Sequence, residues 1–229
     1  MEATYLDRSL GDIASGVPGA TRVFHDFGID YCCSGAMTLA EAAHAGMLDV
    51  TAVVARLRAL EGNVADARDW RTVPAAELID HLVNRYHERH REQLPELIRL
   101  SLRVEMVHAG KPGCPTGLAH ALENLMHELE THMLKEERVL FPMLSQGMHE
   151  QAGAPITVMR MEHDHHGESL DTIMQITDDL TLPDGACNTW RALYTGVQEF
   201  KEDLMDHIHL ENNVLFVNPS QVAQGALHG

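Results

Sequence analysis

Two ten-residue segments of this chain, His132–Phe141 and His207–Phe216, are near copies of one another. Each sets a histidine four residues before a glutamate, His132 with Glu136 and His207 with Glu211, and each ends in Val-Leu-Phe. At 3.6 residues per turn, the two members of each pair project from one face of a helix. A second pair of segments, His87-Glu-Arg-His90 and His163-Asp-His-His166, repeats at a similar offset. The chain therefore reads as a duplicated two-helix unit that supplies at least four histidines and two glutamates. That inventory suits a pair of metal ions inside a helical bundle.

A single His-x-x-x-Glu pair is ordinarily a surface contact between neighbouring turns. Recurrence with the same apolar flank argues otherwise, because Val139-Leu140-Phe141 and Val214-Leu215-Phe216 imply that both segments face an interior. A glutamate buried there must be paired or bound to a metal. Amphipathic patterns predict long helices over about 75–108, 117–146, 155–180 and 187–216, separated by Gly- and Pro-containing loops. Short connections favour an up-down-up-down four-helix bundle, and no strand-like alternation appears, so the chain is all-α. Pro95 and Pro142 fall inside the first two helices and are expected to kink them.

In such a bundle the second and fourth helices present His132, Glu136, His207 and Glu211, and the first and third present His87 and His163. Nitrogen and oxygen donors without sulfur favour iron or manganese over a structural zinc. His209 and His165 lie two residues from their neighbours His207 and His163 and should face away, while His90 and His166 are reserve ligands. Glu128 and Asp203, one turn before the ligand histidines, are candidates to orient the imidazoles, with a solvated surface charge as the alternative.

The first third is cut into short helical patterns, Ser9–Ser15, Gly19–Phe27, Leu39–Ala45 and Val50–Leu60. Thr38 with Glu41 forms the signature of a capping box, and Asp49 is a cap for the last piece. Residues 1–61 thus form a small helical domain, 62–73 a linker, 74–217 the bundle and 218–229 a tail. Cys32 and Cys33 sit in the loop Gly28–Gly35, where a disulfide between neighbours is strained; accessible thiols there suit soft-metal binding or exchange chemistry. With 34 acidic against 17 basic residues, the net charge of −17 disfavours nucleic acid and anionic membranes as partners. No secretory leader or membrane span is evident, so the cytoplasm is the expected compartment.

These motifs carry a resemblance. Asp30-Tyr31-Cys32-Cys33-x-Gly35, Arg85-Tyr86-His87-x-Arg89-His90, His132-x-x-x-Glu136-Glu-x-x-Leu-Phe-Pro142, Glu162-His163-Asp164 and His207-x-x-Leu-Glu211-Asn-Asn-x-Leu-Phe216 together resemble the repair of iron centres family. Its members join a vicinal-cysteine domain to a hemerythrin-like bundle. The resemblance implies two non-haem iron ions held by His87, His132, Glu136, His163, His207 and Glu211, the glutamates bridging. It implies a role in restoring iron-sulfur clusters damaged by nitric oxide or peroxide, with damaged cluster proteins as partners and Cys32 and Cys33 as transfer thiols. An iron donor fits this better than a turnover enzyme. The alternatives are a di-iron nitric oxide reductase or oxidase, and a carrier or sensor of nitric oxide or oxygen; a homodimer is one open arrangement. Two positions depart from the family pattern: Ser34 stands where glycine is usual, and Val217 replaces a proline.

Overall fold

The computed structural model describes residues 5–60 and 68–217; the expected tail, 218–229, and the first half of the expected linker, 62–67, lie outside them. Among the described residues there is no strand. Packing divides the chain into two compact units: residues up to Ile79 together with those from Met205 onward, and Asp80–Leu204.

In the first unit four short helices surround a small apolar core. They are α1 (Leu10–Gly16), α2 (Ala20–Asp26), α3 (Leu39–Ala45) and α4 (Val50–Arg58). Their starts follow from side chains in the sequence. Ser9 accepts from the Asp12 amide, Asp49 accepts from Thr51 and Ala52, and Thr38 with Glu41 closes the expected capping box. Leu10, Ile13, Phe24, Tyr31, Leu39 and Leu57 are fully buried in this core. In the stretch read as a linker, Trp70–Thr72 forms a 3-10 turn capped by Asp69.

The bundle helices are α5 (Ala75–Leu82), α6 (Glu88–His108), α7 (Leu118–Lys135), α8 (Phe141–Ser145), α9 (Gly153–Ile176) and α10 (Asn188–Leu210). Within the second unit α7 packs against α6 and α9. The first part of α10 packs on α6, closely enough that a Cβ at Gly196 would meet a Leu97 methyl at 2.8 Å. Leu118, Leu122, Leu125 and Leu129, at three- and four-residue spacing, are all buried along one face of α7.

Helix α9 stops four residues short of the expected end. Asp178, Asp179 and Leu180 take left-handed backbone angles (φ 50°, 50° and 59°), and the Leu180 amide donates to Thr177 Oγ1 at 3.3 Å. Only one of the two prolines marks a departure from α geometry: Pro95 lies inside the continuous α6, whereas Pro142 stands in the first turn of α8, directly after a π turn. Among the described residues three five-residue π turns occur, at Val83–His87, Glu136–Leu140 and Glu211–Leu215. Each closes with a bond five residues back: Glu88 N–H to Val83 O, Phe141 N–H to Glu136 O, and Phe216 N–H to Glu211 O.

Thr38→Ala should remove the reciprocal cap of α3 and destabilise the chain by about 1 kcal/mol. Chemical denaturation followed by circular dichroism reads this as a lowered midpoint.

Candidate metal centre and thiol loop

Each π turn begins or ends on a residue singled out in the sequence: His87 ends the first, Glu136 begins the second and Glu211 begins the third. An extra residue in a helical turn re-aims the side chains beside it, and such turns concentrate at functional sites.

In the second unit, His87, His132, Glu136 and His163 come together with at most 1 % of their surface exposed. Glu136 Oε2 lies 3.6 Å from His87 Nε2 and 3.4 Å from His132 Nε2. His163 Nε2 lies 3.0 Å from His132 Nε2. The outer nitrogens are fixed from behind. His87 Nδ1 donates to Glu137 Oε1 at 2.8 Å, and His132 Nδ1 donates to Glu162 Oε2 at 3.0 Å. A proton on Nδ1 leaves Nε2 of a neutral ring as a lone pair. Two lone pairs therefore face one carboxylate oxygen, an arrangement that requires positive charge among them. Either a proton, on an imidazole or on Glu136, or a cation sits between the donors; three imidazoles and a carboxylate backed by outer carboxylates fit the cation.

In the first unit, His207 and Glu211 are likewise buried, with His207 Nε2 3.0 Å from Glu211 Oε1. His209 points elsewhere, as its spacing requires: its ring meets Ser15 Oγ at 3.3 Å and the Asn213 amide at 3.1 Å. Burial pushes its pKa down to about 4, so it packs as a neutral ring.

Of the two alternatives left open for Glu128 and Asp203, the orienting role is taken by neither residue. Asp203 does not orient an imidazole; it accepts from Arg85 at 2.6 Å and Gln93 at 2.8 Å. Glu128 meets Ser169 at 3.5 Å. The orienting carboxylates are Glu137 and Glu162, each next in sequence to a histidine or glutamate of the cluster. That adjacency was the available signal, but it is the neighbouring helix that turns each one toward an imidazole. Burial alone would push the Glu137 carboxyl up, yet hydrogen bonds from His87 and Arg91 outweigh it and hold the group below the usual glutamate range. Arg91 is in turn shared between Glu130 and Glu137 at 2.9 Å each. Of the reserve ligands, His90 turns to Gln93 at 3.4 Å, while the His166 ring lies edge-on to His132 with centroids 4.9 Å apart.

The thiol loop is folded around Asp30. Its Oδ1 accepts the amides of Cys32 (3.2 Å) and Cys33 (3.0 Å) and the Cys32 thiol (3.2 Å), while Oδ2 accepts the Ser34 amide and hydroxyl. Ser34, the departure from the family pattern, thus adds a tie to the loop. The sulfurs are 3.7 Å apart and unbonded. The expectation of two accessible thiols holds for one of them. Cys32 is buried and Cys33 half-buried. Hydrogen bonding to Cys33, burial, and the charges of Cys33 and Asp30 hold the Cys32 thiol well above the ordinary range, so it stays protonated. Iodoacetamide should therefore label Cys33 well before Cys32 at neutral pH, read by mass spectrometry on the Cys32→Ser and Cys33→Ser variants. Equal rates would contradict the burial of Cys32.

The sequence comparisons agree with this division of features. Residues 78–217 match the hemerythrin HHE cation-binding domain, and residues 6–61 match a domain of unknown function, DUF542. The iron-sulfur cluster repair protein YtfE of Dickeya chrysanthemi is 51% identical over 212 residues, covering 93% of this chain and 96% of that protein. Those of Pectobacterium atrosepticum and Yersinia pseudotuberculosis are 50% and 51% identical over the same shares. Among the described residues no helix is long and apolar enough to cross a membrane. With a cation-binding bundle, a vicinal-thiol domain and half its residues in common with these proteins over nearly its whole length, the chain belongs to the hemerythrin-like iron-sulfur cluster repair family.

Proposed function

We propose that this protein repairs iron-sulfur clusters damaged by nitrosative or oxidative stress, in the cytoplasm, by supplying iron from a di-iron centre. The observation that carries the reading is a fully buried set of imidazoles and carboxylates in a protein whose thiol loop is anchored to the turn bearing Glu211. His87, His132, Glu136, His163, His207 and Glu211 are the residues that would hold that centre. The cation-binding family match, which runs unbroken from 78 to 217, supports counting all six among the ligands.

When bound, iron supplies the transferable metal and open positions for a small ligand such as nitric oxide or oxygen. The chain's own part is physical. Glu137 and Glu162 hold Nδ1 protons so that Nε2 of His87 and His132 stays available to metal. Burial of every proposed ligand keeps water from competing at the carboxylates. Cys33, the more exposed of the two thiols, would meet a damaged cluster protein first, with Cys32 beside it.

Purified protein should carry about two irons, and Glu136→Ala or Glu211→Ala should lose iron or its magnetic coupling while keeping most helix content. Metal affinity should fall about 10–100-fold on Glu162→Ala, through loss of the bond that orients His132. Iron-loaded protein incubated with a nitric-oxide-damaged cluster enzyme should restore that enzyme's activity, and replacing both Cys32 and Cys33 by serine should weaken the repair without emptying the bundle. No recovery alongside fast consumption of nitric oxide would favour a reductase instead.

A further inference from the structure

The turn that begins at Glu211 also grips the thiol loop. Asn212 Nδ2 donates to the Cys32 carbonyl at 3.2 Å. Asn213 Nδ2 donates to the carbonyls of Tyr31 and Cys32, at 3.3 Å each, and to His209 Nδ1 at 3.1 Å. The opposite side of the Asn213 amide is closed by backbone. A Cβ on Gly35 would lie 2.2 Å from Asn213 Oδ1, and one on Gly11 would lie 2.8 Å away. Neither glycine has a left-handed φ, so space rather than backbone conformation excludes side chains there. The Gly11 amide donates to the Gly35 carbonyl at 2.8 Å and closes the frame.

The thiol loop is therefore tied twice. Its amides go to Asp30, and the carbonyls of Tyr31 and Cys32 go to the asparagine pair. Tyr31 adds a third anchor through its hydroxyl, which donates to Asp206 Oδ1 at 2.6 Å. Glu211 is fully buried and Asn212 nearly so, at 5 % exposure, and both lie in the same five-residue π turn. Asn213, two residues from Glu211, points to the opposite side of the turn, and Asn212 between them reaches the Cys32 carbonyl. The turn thus shows its carboxylate to one side and its amides to the thiol loop, with no loosely packed segment between.

We propose that Asn212 and Asn213 are positioning residues that couple the Cys32–Cys33 loop to Glu211, so that metal held by Glu211 and the chemical state of the thiols change together. This rests on the reading of Glu211 as a metal ligand. A shift of the turn when Glu211 takes a cation moves the donors to the Cys32 carbonyl and alters access to Cys33. Because a coupling free energy acts in both directions, a modified thiol loop in turn weakens the hold of Glu211. In a repair protein this ties release of iron to the moment when the thiols are engaged.

The test uses the full chain, anaerobically, with and without ferrous iron. Two quantities are read: the iodoacetamide labelling rate of Cys33, and the ease with which the chelator ferrozine removes iron before and after labelling. The parent should label about 5-fold or more slower when loaded, and should release iron correspondingly more readily once labelled, the lower end of ordinary coupling strengths. Asn213→Asp preserves shape but removes the donor; it should bring the loaded-to-apo ratio close to one, as should Asn212→Ala, the second variant in case the first folds poorly by circular dichroism. A merely structural role would change both rates and leave their ratio. A parent ratio of one, or a full ratio in both folded variants, overturns the coupling. Glu211→Ala separates the two ideas: unchanged iron content sinks the ligand reading and the coupling with it, whereas lost iron with a parent ratio of one sinks the coupling alone.

Discussion

A glutamate with no solvent exposure, held among imidazoles in the middle of a helical unit, is the constraint around which this protein is arranged. Removing a carboxylate from water costs several kcal/mol even after relaxation, and a single neighbouring dipole does not recover it. Glu136 is met by His87 and His132, and their far sides are met by Glu137 and Glu162. Those outer carboxylates need cations of their own, which Arg91 and Lys135 provide from partly exposed positions. Carboxylate, imidazole, carboxylate and cation thus follow one another outward, from a fully buried centre to partly exposed outer groups. The net result is a buried site of fixed tautomers, which a cation completes.

The π turns show how the helices reach that arrangement. A regular helix advances 100° per residue, so a ligand's direction is tied to every other residue on its face. Each five-residue π turn breaks that tie beside His87, Glu136 or Glu211. Leu140 and Leu215, the last residues of their turns, still fall on the buried side. The helix can therefore aim a ligand without surrendering the apolar stripe that holds it in place. In α9, which carries His163, no such turn occurs, and its histidine pair His163 and His166 lies at plain helical spacing.

Much of this was legible in the residues because the relevant signals are local. The caps at Thr38 and Asp49 are patterns within four residues, and the His-x-x-x-Glu pairs report one helix face. What stayed hidden depends on partners far away in the chain. Asp203 occupies the position one turn before His207 that suggested a carboxylate–histidine contact, yet Arg85 and Gln93 claim it from another helix. Glu137 and Glu162 were found only once the neighbouring helices were in place. Pro142 does mark the break after Glu136, but Pro95 sits in an unbroken helix and the π turns at His87 and Glu211 have no proline beside them. The vicinal cysteines looked equally open in the sequence. Asp30, two residues away, folds the loop back on itself and separates them into one buried and one half-buried thiol.

The segment from Met205 to Val217 belongs to two descriptions at once. By sequence it completes the hemerythrin HHE match, and by packing it belongs with the N-terminal helices. Its alternating residues explain how both can be true. His207 and Glu211 carry the metal-type chemistry, while Asp206, His209, Asn212 and Asn213 hold Tyr31, Ser15 and the thiol loop. A neutral, buried His209 is tolerable only while Ser15 and Asn213 surround it, and Asn213 fits only where positions 11 and 35 are glycine. A bundle cut free at residue 74 would keep its six proposed ligands in sequence and lose these supports along the helix that carries two of them. The thiol domain is therefore part of how His207 and Glu211 are held, and its union with the bundle in one chain has a structural basis before any transfer chemistry is considered.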